Sequence, residues 1–414
     1  MAKYHITGIF VVANPAEAAT EVFTSALHGQ TGVDTAVVVT PSSVEPSVLA
    51  NIGRLFEEAG IEYQHIAWDQ DESLATGLAD VVATSQETAR MAETQSWLWF
   101  ITDDGVVNET TLANQLKAVE ISPSVAVAGA KQLSDRHLIN VGLTVARNGD
   151  VLSMIEPGEL DQGQYDHRTD TFAVSLPGML IKTDVWVDLE GFDTLTPELA
   201  QTVDVCWRAR LAGHRVAVVP SAEVQHETAA VEPDIADAWA ASRWLRLKHT
   251  GFFGFIGGWI WGWFAALGVL LAGLFVKDPG TGVAQARGIV RTLMRPVALW
   301  SSQKEARSSR TRPYDAVAEL RPSRARVRDH RRSVLEVSEP DRVVGDGTGS
   351  SSTPQQATGG HDDFEELATP ERNWVGIGAV TLTVLFGAVA VLGLRHLLGV
   401  PALAGGNLLP VSTD

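Results

Sequence analysis

The run Trp97-Leu98-Trp99-Phe100-Ile101, and its abrupt end on Thr102-Asp103-Asp104-Gly105, constrain this chain more than any other stretch. An uninterrupted apolar run this short, rich in aromatic residues, fits a strand covered on both faces better than a helix. Asn108 or Glu109 then opens a helix with Leu112, Leu116 and Val119 on one face. A buried strand leading into a helix belongs to an open α/β sheet, and such sheets place ligands beyond the carboxyl ends of their strands. Asp103 and Asp104 stand at that position, where adjacent carboxylates repel unless a cation or hydrogen-bond donors offset them. A divalent metal carrying a diphosphate would meet that need, because hard cations take oxygen ligands. The plainer alternative is that the pair stops the strand and caps the helix.

The same alternation fills the residues before it. Strands are expected over 4–13, Thr35–Val39 and Tyr63–Trp68, with helices over Glu17–His28, Val48–Ala59 and Leu74–Met91. A further strand is expected over Val125–Ala128. This order indicates βαβ units and a mainly parallel sheet with helices on both faces. The pattern then loosens. LINVGLTVARNGD reads as a hairpin, and EPGELDQGQYDHRTD as a polar loop of a length that is usually functional. Residues 173–193 hold a strand, a Pro-Gly turn and a short helix. Thr202–Ala212 reads as a helix, and Val216–Val219 as a strand that runs on through Ser221–His226.

Charge divides the chain in two. Residues 1–240 carry 12 Lys/Arg against 35 Asp/Glu, whereas residues 241–414 carry 20 against 15. The overall charge of −18 therefore belongs to the N-terminal part and argues against nucleic acid as its partner. Cys206 is the single cysteine, which rules out an internal disulfide and fits a reducing compartment. The N-terminal apolar run Ile9–Ala13 is too short for a signal peptide. Phe252–Val276, 25 residues without a charge, and Trp374–Leu394, 21 residues, are long enough to enter a bilayer. Residues 277–300 look amphipathic, with Arg287, Arg291 and Arg295 on one face. Residues 287–332 hold 13 Lys/Arg against four Asp/Glu, a run that suits an anionic membrane surface or a solvated linker. Gly345–Gly360 has the composition of a flexible linker. The expected organisation is a domain over 1–240, membrane-embedded or interfacial helices over 241–300, a linker over 301–372, a transmembrane helix over 373–399 and a short tail.

Taken together and in order, WLWFITDD, VAVAGAKQ, VGLTVARNGD, EPGELDQGQYDHRTD, GMLIKTDVW, GFD, VDVCWRARLAGHRV and VVPSAEVQH resemble the family 2 glycosyltransferases of GT-A fold. The likeness is to the N-terminal part of the large membrane-bound actinobacterial members. It covers about residues 1–250 and is strongest from Trp97 to His226. It implies a Rossmann-like α/β domain followed by membrane-associated helices. The implied reaction moves a sugar from a nucleotide-diphosphate donor to a lipid-linked or glycan acceptor of the cell envelope, with Mg2+ or Mn2+. The family's DxD metal motif falls on Thr102-Asp103-Asp104. That implies Asp104 as a metal ligand and Asp103 as a donor contact, while His226 matches a histidine that some relatives add to the metal shell. The loop Glu156–Asp170 falls where relatives receive the acceptor.

The departures from the family pattern are equally specific. Aligning Asp204, Cys206, Trp207 and Arg208 on the family's EDxDLxxR motif puts Gln201 and Thr202 at its acidic pair. Neither can take a proton from a hydroxyl at neutral pH. Asp204 is then the acid left as candidate base, with a helix-dipole role as its structural alternative. The Asp-containing turn that grips the nucleotide is replaced by Thr40-Pro41-Ser42-Ser43, so Thr40 takes the nucleotide-binding position. DQDESLATG replaces a Gly-rich segment near the donor. Three readings follow. One is an active, metal-dependent transferase. Another is a non-catalytic scaffold or regulatory partner of other envelope-biosynthesis proteins. A third assigns a docking role to the basic segment 300–360. Nucleotide sugars are cytosolic, which implies a cytosolic N-terminal domain at the cytoplasmic membrane. Basic flanks on both sides of 252–276 favour a re-entrant or in-plane element there, with the last segment alone crossing. The large relatives continue into more transmembrane segments, whereas this chain ends at LLPVSTD, so a shortened form is expected.

Overall fold

The computed structural model describes residues 4–12, 18–29, 32–69, 73–81, 95–227 and 233–338. The linker Gly345–Gly360, the apolar segment Trp374–Leu394 and the second half of the helix expected over Leu74–Met91 lie outside these residues.

The chain steps outward through β1 (His5–Val11), α1 (Ala18–Gly29), β2 (Thr35–Pro41), α2 (Pro46–Ala59) and β3 (Glu62–Trp68). These strands are parallel. The chain then returns to the other side of β1 as β4 (Ser96–Thr102), also parallel, with Val11 opposite Thr102. Strand order reverses between β1 and β4, and the crevice of an open sheet lies at such a switch point. There the Asp103 amide donates to the Val11 carbonyl at 3.1 Å, tying the two carboxyl ends together.

The second half adds β5 (Val106–Val107), α3 (Thr111–Ile121), β6 (Val125–Ser134), β7 (His137–Asn140) and the hairpin β8 (Thr144–Val145) and β9 (Val151–Leu152). Next come β10 (Met179–Lys182), α4 (Thr183–Asp188), α5 (Glu198–Leu211) and β11 (Arg215–His226). The large sheet runs β3-β2-β1-β4-β10-β6-β11-β5, with β7 on β6. β10 lies antiparallel between β4 and β6, so β6 and β11 point the same way as β4. Because α5 leads into the start of β11, its own N-terminus lies at the carboxyl edge. One edge of the sheet therefore collects the ends of β2, β4 and β11 and the beginning of α5.

Alternation along β4 explains its unbroken apolar sequence. Leu98 and Phe100 pack with Trp186, Phe192 and Trp207, while Trp97, Trp99 and Ile101 pack on the opposite face with Phe10, Phe23 and Phe56. Both faces are covered, as the mostly parallel sheet requires.

Beyond the sheet, α6 (Ile235–Lys248) is an element that sequence periodicity does not announce. It is followed by α7 (Phe252–Val276), α8 (Pro279–Leu293) and α9 (Pro296–Ser308). The amphipathic stretch 277–300 is thus two helices, divided where Pro296 lacks a backbone donor. The expected linker from residue 301 is structured as far as Ser338. It forms a 3-10 turn, Tyr314–Leu320, and α10 (Arg324–Ser338). Val317 is buried in the sheet-domain core, and the Thr144 hydroxyl donates to the Leu320 carbonyl at 2.8 Å. So few apolar residues in a basic run give no periodic stripe, which is why composition read it as linker.

α7 is continuous, and its glycines do not interrupt it as a re-entrant element would require. At 1.5 Å per residue it is about 37 Å long, against a hydrocarbon core of about 30 Å. Phe253, Trp261, Phe264, Leu267 and Leu274 are exposed along it. α7 and α8 approach closely at Gly273 and Gly282: a Cβ on Gly273 would lie 2.9 Å from the Gly282 Cα. Gly273→Leu is expected to force the pair apart at a cost of about 1–3 kcal/mol. Gly268→Leu, where a side chain meets nothing within 4 Å, is the control, and thermal unfolding in detergent measures both.

Candidate active site

The turn after β4 is organised by its own side chains. The Thr102 hydroxyl, at the first position of the DxD motif, donates to the Asp104 carboxylate. Asp104 is exposed and Asp103 half-buried. Gly105 lets β11 close over the turn, since a Cβ there would sit 2.7 Å from Val224 and 3.2 Å from the His226 ring. His226 thereby reaches Asp104 at its backbone: Nδ1 donates to the Asp104 carbonyl at 2.7 Å. Nε2 meets the Gln132 side-chain oxygen at 2.7 Å. The Gln132 amide nitrogen donates to the carbonyls of Ala130 and Pro177, which leaves its oxygen facing the imidazole. Both ring nitrogens are engaged. Thr40 ends β2 at the same edge but is fully buried, its hydroxyl bonded to His65 Nε2 at 2.9 Å. Burial pushes the His65 imidazole below its ordinary pKa.

Asp204, the candidate base, is corrected by its surroundings. It is 0% exposed. Oδ2 accepts from Arg208 Nε at 2.8 Å and Lys248 Nζ at 2.9 Å, and Oδ1 accepts from His249 Nε2 at 2.8 Å. Burial alone would raise its pKa, but Lys248 and Arg208 hold it well below the usual carboxylate range. A carboxylate so enclosed has no path to a substrate hydroxyl. The expected helix-dipole role does not describe it either, because α5 begins at Glu198 and Asp204 lies well inside it.

Asp204 is one member of a buried ionic cluster. Lys248 Nζ also donates to Asp193 Oδ2 at 2.6 Å, and Ser302 of α9 donates to the same oxygen. Arg208 also donates to the carbonyls of Leu189 (2.5 Å) and Gly191 (2.7 Å). His249 stacks on Trp207 with centroids 4.0 Å apart, and burial lowers its pKa to about 4. Its neutral form agrees with an Nδ1 that has no partner. Glu305 of α9 lies 3.8 Å from Arg208, and burial, with Asp193 nearby, pushes it up to about 7. Cys206 on the same helix is buried, its thiol pushed up to about 11 by desolvation.

Motif reading missed a cavity of about 700 Å3 at the N-terminus of α5. Ser73 and Thr76, the segment 194–199, and Asp237, Arg291 and Arg295 line it. Glu198 is exposed in the first turn of α5, four residues before Thr202 and on the same helical face. An acid thus stands one turn ahead of the position where the family pattern expects one. The spacing is readable from sequence only once the helix is known to start at Glu198. Arg291 pairs with Asp237 at 2.7 Å, and Arg295 lies over the Trp244 ring at 5.7 Å. Two of the three arginines of the amphipathic stretch therefore line this cavity. Among the described residues, no group of three or more His, Cys, Asp or Glu side chains is set to hold a metal.

Residues 2–244 match the family described as "Glycosyltransferase like family 2". The chain belongs to this family. Its mixed, mostly parallel sheet is the GT-A arrangement expected of the family. Solved structures with a similar chain path include GalNAc-T7 with UDP, GalNAc and Mn2+ (TM-score 0.42, 10% identity). That match covers 57% of this chain and 47% of GalNAc-T7, so this chain spans less than half of that protein. Another is the mannosyltransferase PcManGT of Pyrobaculum calidifontis with GDP-Man and Mn2+ (TM-score 0.40, 15% identity, 82% of each chain). A third is S. aureus TarS 1–349 with UDP-GlcNAc (TM-score 0.42, 12% identity, 80% of this chain and 88% of that one). No curated protein sequence matches this chain.

Removing one member of a buried ion cluster leaves the others uncompensated, at a cost of about 3–5 kcal/mol. Asp204→Ala is expected to lose stability of that order in denaturant titration. Glu305 has a folded pKa above its unfolded value of 4.5, so its contribution is full below about pH 4.5 and is lost as pH rises through about 7. Glu305→Gln is expected to match the wild type at acid pH and to melt higher above pH 7.

Proposed function

We propose that this chain is a metal-dependent glycosyltransferase. It takes a sugar from a nucleotide-diphosphate donor at the carboxyl edge of the sheet and delivers it to a lipid-linked or glycan acceptor at a membrane surface. The observation that carries this reading is family membership over residues 2–244 combined with an exposed Asp104 at the switch point between β1 and β4.

The residues fit a Mg2+ or Mn2+ ion that shares its shell with a diphosphate. Such ions are held by one or two carboxylates plus phosphate oxygens, and one oxygen of Asp104 is engaged only by the Thr102 hydroxyl. When bound, the ion would neutralise charge on the departing diphosphate. Asp104 would hold it and Asp103 would support the donor. His226 would join only by giving up a present partner, Gln132 or the Asp104 carbonyl. Thr40, through His65, fixes the backbone beneath the nucleotide. Glu198 is the base: in the first turn of α5 it faces the cavity and accepts the acceptor's hydroxyl proton. Arg291 and Arg295 share that cavity with Glu198, Asp234 and Asp237, and Arg291 is paired with Asp237.

The length and apolar surface of α7 support membrane attachment, with the sheet domain on the cytosolic side where nucleotide sugars are made. The reading as a non-catalytic scaffold draws on Gln201-Thr202 and on the burial of Thr40. Calorimetric titration of the full chain with UDP and GDP, with and without Mn2+, separates the two. The wild type is expected to bind in a metal-dependent way, and Asp104→Ala to bind at least about tenfold more weakly. Glu198→Gln is expected to bind nucleotide normally while sugar transfer falls by about 10²–10⁴-fold. A wild type that binds no nucleotide under any of these conditions puts the scaffold reading first.

A further inference from the structure

The arginines of α10 are solvent-exposed, and several of them border one concave surface shared with the sheet domain. Arg324, Arg328 and Arg331 recur at i, i+4 and i+7, a spacing that places them on one helical face. That face forms one wall of a cavity of about 580 Å3. Arg147, in the turn between β8 and β9, and Arg246, on the last turn of α6, stand on the other walls, and Arg332 borders the same space.

Arg331 and Arg328 each meet a carboxylate. Asp150 is held by Arg331, and Asp329 lies 3.5 Å from Arg328 on the exposed side of the helix. The remaining excess of positive charge is felt by the neighbours. Arg243 is held below its ordinary pKa by burial and by Arg246, and Arg321 by burial and by Arg147. Guanidinium groups gathered from three separate elements around one space repel one another unless an anion enters it. Their planar forks match phosphate oxygens in a bidentate way. The volume falls in the range of small-molecule sites.

We propose that this cavity binds a phosphate-bearing anion. It shares no residue with the cavity at the N-terminus of α5, and the proposal does not rest on the transferase reading. Such a group has two sources, a phospholipid headgroup or a soluble phosphate compound. Position favours the headgroup, because Arg246 lies six residues before Phe252, where the apolar helix α7 begins.

The test uses the full chain and the double variant Arg147→Gln/Arg328→Gln. It changes exposed residues on opposite walls and leaves the Arg331–Asp150 pair intact. One arm measures binding to vesicles of phosphatidylcholine alone and of phosphatidylcholine with phosphatidylglycerol in equal parts. The other titrates inorganic pyrophosphate into protein in neutral detergent. Both are done without divalent metal. The wild type is expected to prefer the mixed vesicles, and the variant to lose that preference by about fivefold per arginine removed. Pyrophosphate binding lost in the variant would support the site and identify a soluble ligand. Wild type and variant behaving alike in both arms would overturn the proposal. Metal-dependent UDP binding by the variant, unchanged from the wild type, separates this outcome from a failure of the donor site.

Discussion

Much of this structure depends on a lysine buried between two aspartates. Lys248 Nζ sits 2.6 Å from Asp193 and 2.9 Å from Asp204, with Arg208 and His249 completing the second carboxylate. Taking these charges out of water is costly, and only near-complete mutual pairing offsets it. The members come from different parts of the chain: the loop before α5, α5 itself, the end of α6 and, through Ser302, α9. The cluster therefore joins the sheet domain to the helices that carry the apolar α7. Arg208 adds the carbonyls of Leu189 and Gly191, so the loop leading into α5 is held by the same charges. That loop positions Glu198 at the carboxyl edge.

The edge itself is built with fewer strong contacts. Thr102 orients Asp104, Gly105 admits β11, and His226 closes over the turn against Gln132. These are neutral or singly charged hydrogen bonds near the surface, each of which contributes about 0.5–1.5 kcal/mol net. Contacts of that strength can open readily, whereas those of the buried cluster behind them do not.

Much of the architecture was legible because it is written in local patterns. The both-faces-apolar β4, the βαβ alternation and the Asp pair at a strand end all follow from neighbours in sequence. What was illegible depends on distant partners. Asp204 reads as a candidate base until Lys248 and His249, more than forty residues away, are seen to enclose it. Thr40 reads as a nucleotide contact until His65 claims its hydroxyl. The strand expected somewhere in residues 173–193 proves to be the short antiparallel β10, after the Pro-Gly turn and central in the sheet, because two pairing edges cannot be read from four residues. The structured segment 311–338 hid in a basic run, since its attachment rests on backbone groups and on Arg321 stacked over Trp207 at 4.6 Å. Glu198 escaped notice because its meaning depends on where α5 starts.

The placement of Asp204 changes what its survival in a sequence can signify. Asp204 and Arg208, one turn apart on α5, are fixed by the need to keep a buried charge balanced, whatever happens at the cavity mouth. Thr202, half-buried on the same helix, carries no such obligation, whereas Gln201 is buried and donates to the Thr196 carbonyl at 3.2 Å. A Asp-x-x-x-Arg remnant of this kind is thus a signature of the fold's internal wiring. Charge balance alone accounts for it, so it separates a chain that transfers sugar from one that does not no better than a core tryptophan would.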